Sequence, residues 1–124
     1  MIFLDTHVLV WLYLPRLDLL GQQAVRLINR EDLAVSPVVL LELEYLHEIG
    51  RLVVHGGEVV EELGQRLGLA VSSMSFESVV RHAVKQTWTR DPFDRIIVGQ
   101  AAATKKRLVT RDKTIRDNYS RAVW

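Results

Sequence analysis

The sequence predicts a single α/β domain, a short parallel sheet of four to five strands flanked by helices on both faces. Three observations carry that expectation. Apolar runs of strand length, at 1–4, 33–35, 69–71 and 108–110, alternate with longer stretches of helical periodicity. The runs are apolar throughout rather than at every second residue, so both faces of the sheet must be covered. No repeat, low-complexity tract or long linker divides the chain, so residues 1–124 form one domain.

Each element has its own signal. Residues 1–4 (MIFL) read as a buried strand, and the apolar stretch His7 to Leu14 as a helix that Pro15 ends. Leu20, Ala24, Leu27 and Ile28 recur at helical spacing within 19–29. Leu33–Val35 is strand-like, and Ser36-Pro37 then opens a helix as N-cap and first-turn proline, running to about Ile49 with Gly50 as its stop. Gly56-Gly57 precede a helix over 59–67, and a strand at 69–71 leads to a helix over 76–87. Asp91-Pro92 starts a long helix to about Lys106, followed by a strand at 108–110. A helical turn near 114–118 and a strand at Ala122-Val123 complete the pattern.

Composition narrows the function classes. With 48% hydrophobic and 25% charged residues the chain is neither disordered nor fibrous. It has no cysteine, which excludes a disulfide scaffold and a thiolate metal site and leads us to expect a cytoplasmic protein. No charge-free run exceeds ten residues, so neither a membrane span nor a secretory leader is expected. The formal charge of +1 hides a split. Residues 1–80 carry 5 Lys/Arg against 11 Asp/Glu, and residues 81–124 carry 11 against 4. A basic segment of that kind can meet an anionic partner, or mix in space with the acidic one.

Four carboxylates do not fit a core. In open parallel sheets ligands bind outside the carboxyl ends of the strands, and Asp5 and Asp112 fall at two such ends. Either could equally cap the helix that follows, with Thr6 sharing that work at the first. Glu42 lies on the apolar stripe of its helix, with Val38, Val39, Tyr45 and Leu46 as neighbours one turn away. Asp94 lies on the stripe that contains Ile97, Val98, Ala101 and Ala102. A charge at such positions costs several kcal/mol unless it is paired. Asp91, ahead of Pro92, is the better N-cap, so capping explains one of the 91/94 pair and not the other. Converged on one crevice, Asp5, Glu42, Asp94 and Asp112 would repel one another unless a cation neutralised them, and an all-oxygen set selects Mg²⁺ or Mn²⁺. His7, His47, His55 and His82 show no ligand spacing. Glu44 and Glu48 read as a solvated side near Arg51.

The ordered set of motifs resembles the PIN domain, and within it the VapC-type toxins of type II toxin–antitoxin systems. Asp5-Thr6-His7 after a strand, SPVVLLELEYL from Ser36 through Glu42, Asp91-Pro92-Phe93-Asp94-Arg95 running into IIVGQA, and LVTRD ending at Asp112 carry the resemblance along essentially the whole chain. It implies a Mg²⁺- or Mn²⁺-dependent endoribonuclease in which Asp5, Glu42, Asp94 and Asp112 match the acidic positions, supported by Thr6 and Thr110. It also implies a homodimer and a VapB-like antitoxin, whose C-terminal segment would lie in a groove near Trp11, Leu12, Leu14, Leu17, Leu19 and Leu20. Val39 departs from the family pattern where a small hydroxyl residue is common, and Val98-Gly99 where alanines are commoner.

Arg90, Arg95, Arg111 and Lys113 flank the acidic motifs and are candidates to bind the phosphates of an RNA substrate. Lys105 and Lys106 end a helix and precede a strand, which puts them at the far end of the sheet. Trp88 could stack on an unpaired base or be buried. Two other classes compete. A receiver-like signalling domain shares the length and an acidic Mg²⁺ pocket, but it needs paired acids after the first strand and an aspartate after the third, where Ser72-Ser73-Met74 stand. A catalytically silent PIN module acting only by interaction is the other.

Overall fold

The computed structural model describes all 124 residues. Five parallel strands, β1 (Ile2–Leu4), β2 (Leu33–Val35), β3 (Ala70–Val71), β4 (Leu108–Val109) and β5 (Ala122–Val123), form one sheet in the order β3-β2-β1-β4-β5. Phe3 pairs with Ala34 on one side and Leu108 on the other, so β1 is central. Seven helices join them: α1 (Thr6–Tyr13), α2 (Gln22–Ile28), α3 (Pro37–Glu48), α4 (Gly56–Leu67), α5 (Phe76–Ala83), α6 (Pro92–Thr104) and α7 (Lys113–Asn118). Successive strand residues point to opposite faces, yet Ile2, Phe3 and Leu4 are all at most 2% exposed. Helices therefore cover both faces. The edge strand β3 is two residues long and exposed, which suits an edge that must not recruit another strand.

The strand order excludes the receiver reading. Receiver-type domains run 2-1-3-4-5, with the central strand third in the chain. Here the chain lays down β1, then β2 and β3 to one side, and returns to place β4 and β5 on the other. The order reverses between β1 and β4, and the crevice for a ligand opens at their carboxyl ends.

Element boundaries differ from the expected ones where tertiary contacts act. α2 is preceded by a 3₁₀ turn at Leu17–Leu19 rather than continuing back to Leu19 as one helix. α4 begins at Gly56 instead of 59, because the Glu44 carboxylate of α3 accepts the Gly56 N–H at 2.9 Å and caps the helix from outside. α5 ends at Ala83 rather than 87. The carbonyls of its last residue, Ala83, and of the next, Val84, accept hydrogen bonds from the Arg95 guanidinium at 3.2 and 2.9 Å, a C-terminal cap supplied by α6. α6 stops at Thr104, and Lys105 turns into the left-handed region with φ 54°. Lys105 and Lys106 thus lie at the end opposite the crevice, as expected.

The core runs through Phe3, Leu4, Leu9, Leu43, Leu63, Ile97, Leu108 and Ile115. Of the apolar run after Trp11, only Leu12 joins it fully; Leu14 and Leu17 are 50% and 56% exposed. Trp88 is half-buried against the core, its indole N–H donating to Gln86 Oε1 at 2.9 Å. Gly99 explains one departure from the alanine pattern. A Cβ there would come within 2.7 Å of the Ala83 backbone nitrogen and 3.0 Å of its Cα. Gly99→Ala is therefore expected to push α5 off α6 and cost about 1–3 kcal/mol in chemical denaturation, despite alanine's better helix propensity.

Candidate active site

The crevice between β1 and β4 is an open cleft of about 450 Å³ lined by Asp5, His7, Trp11, Glu42, Asp91, Asp94, Arg111 and Asp112. All four carboxylates singled out in the sequence meet there. Each is delivered by a different element. Asp5 follows β1 and caps α1, its Oδ1 accepting the Thr6 N–H at 2.7 Å. Asp112 follows β4 and caps α7, its Oδ1 accepting from Thr114 and Ile115 N–H at 2.7 and 3.1 Å. Capping and cleft lining thus coexist in the same side chains, since the cap engages only one of the two carboxylate oxygens. Glu42 comes from the first half of α3 and Asp94 from the first turn of α6.

Two threonines brace the acids. The Thr110 hydroxyl donates to Asp5 Oδ2 at 2.6 Å and accepts the Asp112 N–H at 3.1 Å, linking the ends of β1 and β4. The Thr6 hydroxyl donates to Glu42 Oε1. Asp94 has no such partner: none of its side-chain oxygens accepts a hydrogen bond from the chain, and it forms no ion pair. Burial, followed by the charges of Asp91, Asp5, Asp112 and Glu42, pushes its carboxyl up to about 7. Burial likewise raises Asp5 and Glu42, against the lowering effect of their threonine partners.

Five carboxylates therefore share a cleft in which the only obligate cation is Arg111. Its guanidinium makes no ion pair with any of them and lies 5.8 Å from the centre of the Trp11 ring, within cation–π range. Trp11 is also packed edge-on against Trp124 at 5.8 Å and tilted against His7 at 6.0 Å. A surplus of negative charge around an undonated half-buried carboxylate fits a hard divalent cation, and the all-oxygen donors fit Mg²⁺ or Mn²⁺ better than zinc.

The basic candidates separate. Arg111 lines the cleft. Arg95 does not: it is the C-terminal cap of α5 described above, a contact that sequence proximity to Asp94 could not reveal. Arg90 donates to the Thr87 and Thr89 carbonyls of its own loop at 2.9 and 3.4 Å, and Lys113 pairs with Asp117 one turn on at 2.8 Å. Three lining residues stood outside the expected set. Asp91 caps α6 through Oδ1 alone, accepting from Phe93 and Asp94 N–H at 2.8 and 3.2 Å. His7 and Trp11 stand four apart on the helix that Asp5 caps, and that spacing was the available signal.

The PIN domain family profile matches residues 2–120. The chain belongs to the PIN domain family. Among solved structures it is similar to a chain of a "Toxin-antitoxin complex from Klebsiella pneumoniae", with a TM-score of 0.66 and 17% identity over 100% of this chain and 97% of that one. At that identity the likeness shows a shared fold. No curated protein matches the chain by sequence. In this PIN domain the acidic cleft occupies the point where the strand order reverses, and no helix is long and apolar enough to cross a membrane.

Proposed function

We propose that this PIN domain is a Mg²⁺- or Mn²⁺-dependent endoribonuclease that hydrolyses RNA phosphodiester bonds and acts as the toxin of a toxin–antitoxin pair in the cytoplasm. The observation that supports the reading best is Asp94, a half-buried carboxylate with no donor from the chain, among four other acids. Asp5 and Asp94 would hold the ion directly. Glu42 and Asp112 would hold it through water, take a second ion, or orient the nucleophile. A divalent ion bound there supplies Lewis-acid polarisation of the phosphoryl oxygen and a lowered pKa for the attacking water.

The chain's own groups supply the rest. Thr110 fixes the Asp5 carboxylate and, through the Asp112 N–H, the distance between two acidic elements. Thr6 keeps Glu42 turned inward. Arg111 stands at the cleft without an acidic partner, free to meet a phosphate, and the exposed Arg90 and Lys113 lie on elements that border it. Trp11 offers a ring face at the same place for an unpaired base.

The antitoxin reading rests on Leu14 and Leu17, exposed apolar side chains just beyond the helix that bears Trp11, and on what the similar Klebsiella structure is described as. A homodimer belongs to the same reading. A catalytically silent PIN module would keep the fold but has no use for an uncompensated Asp94.

Asp5→Asn tests the enzyme directly. Asparagine keeps a carbonyl oxygen for the Thr6 N–H, and its amide N–H donates to the Thr110 hydroxyl where the carboxylate accepted from it, so folding should survive. RNA cleavage in Mg²⁺ is expected to fall at least about a hundredfold, since even partners of metal ligands cost 10–100-fold. Unchanged cleavage overturns the assignment. Growth arrest on expression, relieved by Asp94→Ala, separates a toxin from an interaction module.

A further inference from the structure

A second cluster of ligating side chains lies outside the acidic cleft. The histidines look dispersed in the sequence, but the fold brings two of them together: the His47 and His55 rings are 4.0 Å apart. Glu44 and His47 are one turn apart on α3, and His55 is the residue that precedes α4. One ligand atom from each of the three lies within 4.8 Å of the other two. Glu44 does not pair with Glu48 as a solvated edge, as its spacing suggested. It turns to the start of α4.

The surroundings hold these groups in place. Glu44 Oε2 accepts the Gly56 N–H at 2.9 Å while Oε1 meets His55 Nδ1 at 2.9 Å. His47 Nδ1 donates to the Leu52 carbonyl at 2.9 Å. A backbone carbonyl on one ring nitrogen leaves the other, Nε2, as a lone-pair donor, the arrangement found behind metal-binding histidines. The cluster is separate from the cleft. Glu42 and Glu44 are two residues apart on α3, roughly 200° around its axis, and the cleft lining includes none of the three.

We propose that Glu44, His47 and His55 form a binding site for a zinc-class transition metal that clips the 49–55 loop between α3 and α4. Two imidazoles and one carboxylate are a borderline donor set suited to Zn²⁺, in contrast with the five clustered carboxylates of the cleft. Donors around a tetrahedral zinc at 2.0–2.1 Å stand about 3.3 Å apart; Glu44 and His55 already stand at 2.9 Å and no pair of ligand atoms is beyond 4.8 Å, so small shifts suffice. His55, whose side chain is 64% exposed, has the freedom to move. Three protein ligands leave a fourth position for water. The expected consequence is a tighter junction between α3, which carries Glu42, and α4.

Co²⁺ is the probe, because its visible absorption distinguishes a four-coordinate nitrogen–oxygen site from hydrated or six-coordinate oxygen sites. The metal-free full-length chain is titrated with Co²⁺, then with Zn²⁺ as competitor, and circular dichroism confirms that every variant is folded. The expected result is one equivalent of tetrahedral Co²⁺, displaced by Zn²⁺, in the natural chain and equally in Asp94→Asn. The bands are expected to disappear in His55→Ala, an exposed position, and to weaken at least tenfold in affinity in Glu44→Gln, which keeps an acceptor for the Gly56 N–H. Bands that persist in folded His55→Ala, that vanish in folded Asp94→Asn, or that never form in the natural chain at micromolar concentration overturn the proposal.

Discussion

Replacing Asp94 by asparagine is expected to abolish divalent-dependent RNA cleavage while making the metal-free protein more stable. The two effects have one cause. Asp94 sits on the inward stripe of α6, accepts no hydrogen bond, and is raised to about 7 by burial and by four neighbouring acids. Asparagine keeps the size and removes the charge, so the metal-free fold loses a repulsion. A gain of about 1–2 kcal/mol, or roughly 3–5 °C in melting temperature for each kcal/mol, is the expected scale. Cleavage should fall by at least about a hundredfold. A substitution that merely damaged the fold would lower both activity and stability. Gain of one with loss of the other is the signature of a site held in readiness for a ligand, and a melting curve with a cleavage assay checks both.

The second large effect is a pH dependence that runs opposite to ordinary acid denaturation. In the unfolded chain Asp94 releases its proton near 3.8, and in the metal-free fold near 7. Between those values the folded state binds more protons than the unfolded one, so stability falls as pH rises through that window. The full rise corresponds to about 4 kcal/mol, an upper bound because water screens a partly exposed carboxylate. Asp5 and Glu42, also raised, act in the same direction. Exposed pairs such as Arg16–Asp18 and Glu44–His55 lower their acids, which acts weakly in the other direction and only at the acid end, whereas His55, raised by Glu44, acts in the same direction as Asp94 near neutrality. Denaturation with a chelator present, from pH 4.5 to 7.5, should therefore show a downward slope that Asp94→Asn reduces. Added Mg²⁺ or Mn²⁺ should restore stability most at the upper end, where the carboxylates are ionised and able to bind. A slope unaffected by Asp94→Asn contradicts the picture of an uncompensated cluster.

What could be read from the sequence follows from where local physics dominates. Strand-to-helix punctuation such as Leu4-Asp5-Thr6 is local, so Asp5 could be placed at a strand end before any fold was known. A charge on an apolar stripe is nearly as local, and it exposed Glu42 and Asp94. Arg95 shows the converse. It follows Asp94 directly, but its side chain closes the end of α5, an element separated from it by a loop. The early start of α4 and the meeting of His47 with His55 have the same origin: both depend on Glu44 reaching across to another helix. In the sequence, capping alone accounts for Asp91, but the cap engages one carboxylate oxygen and leaves the second for the cleft.

Direct measurement of Mn²⁺ binding is the sharpest test of the claim that the acids at the β1/β4 crevice are a hard-cation site. Free Mn²⁺ has a strong paramagnetic resonance signal that weakens on binding, so occupancy can be read without any substrate. The account predicts saturable loss of that signal with the natural chain at pH 7.5, and binding at least tenfold weaker in both Asp5→Asn and Asp94→Asn, with His55→Ala unchanged. Mn²⁺ affinity that is indifferent to Asp5 and Asp94 would contradict it.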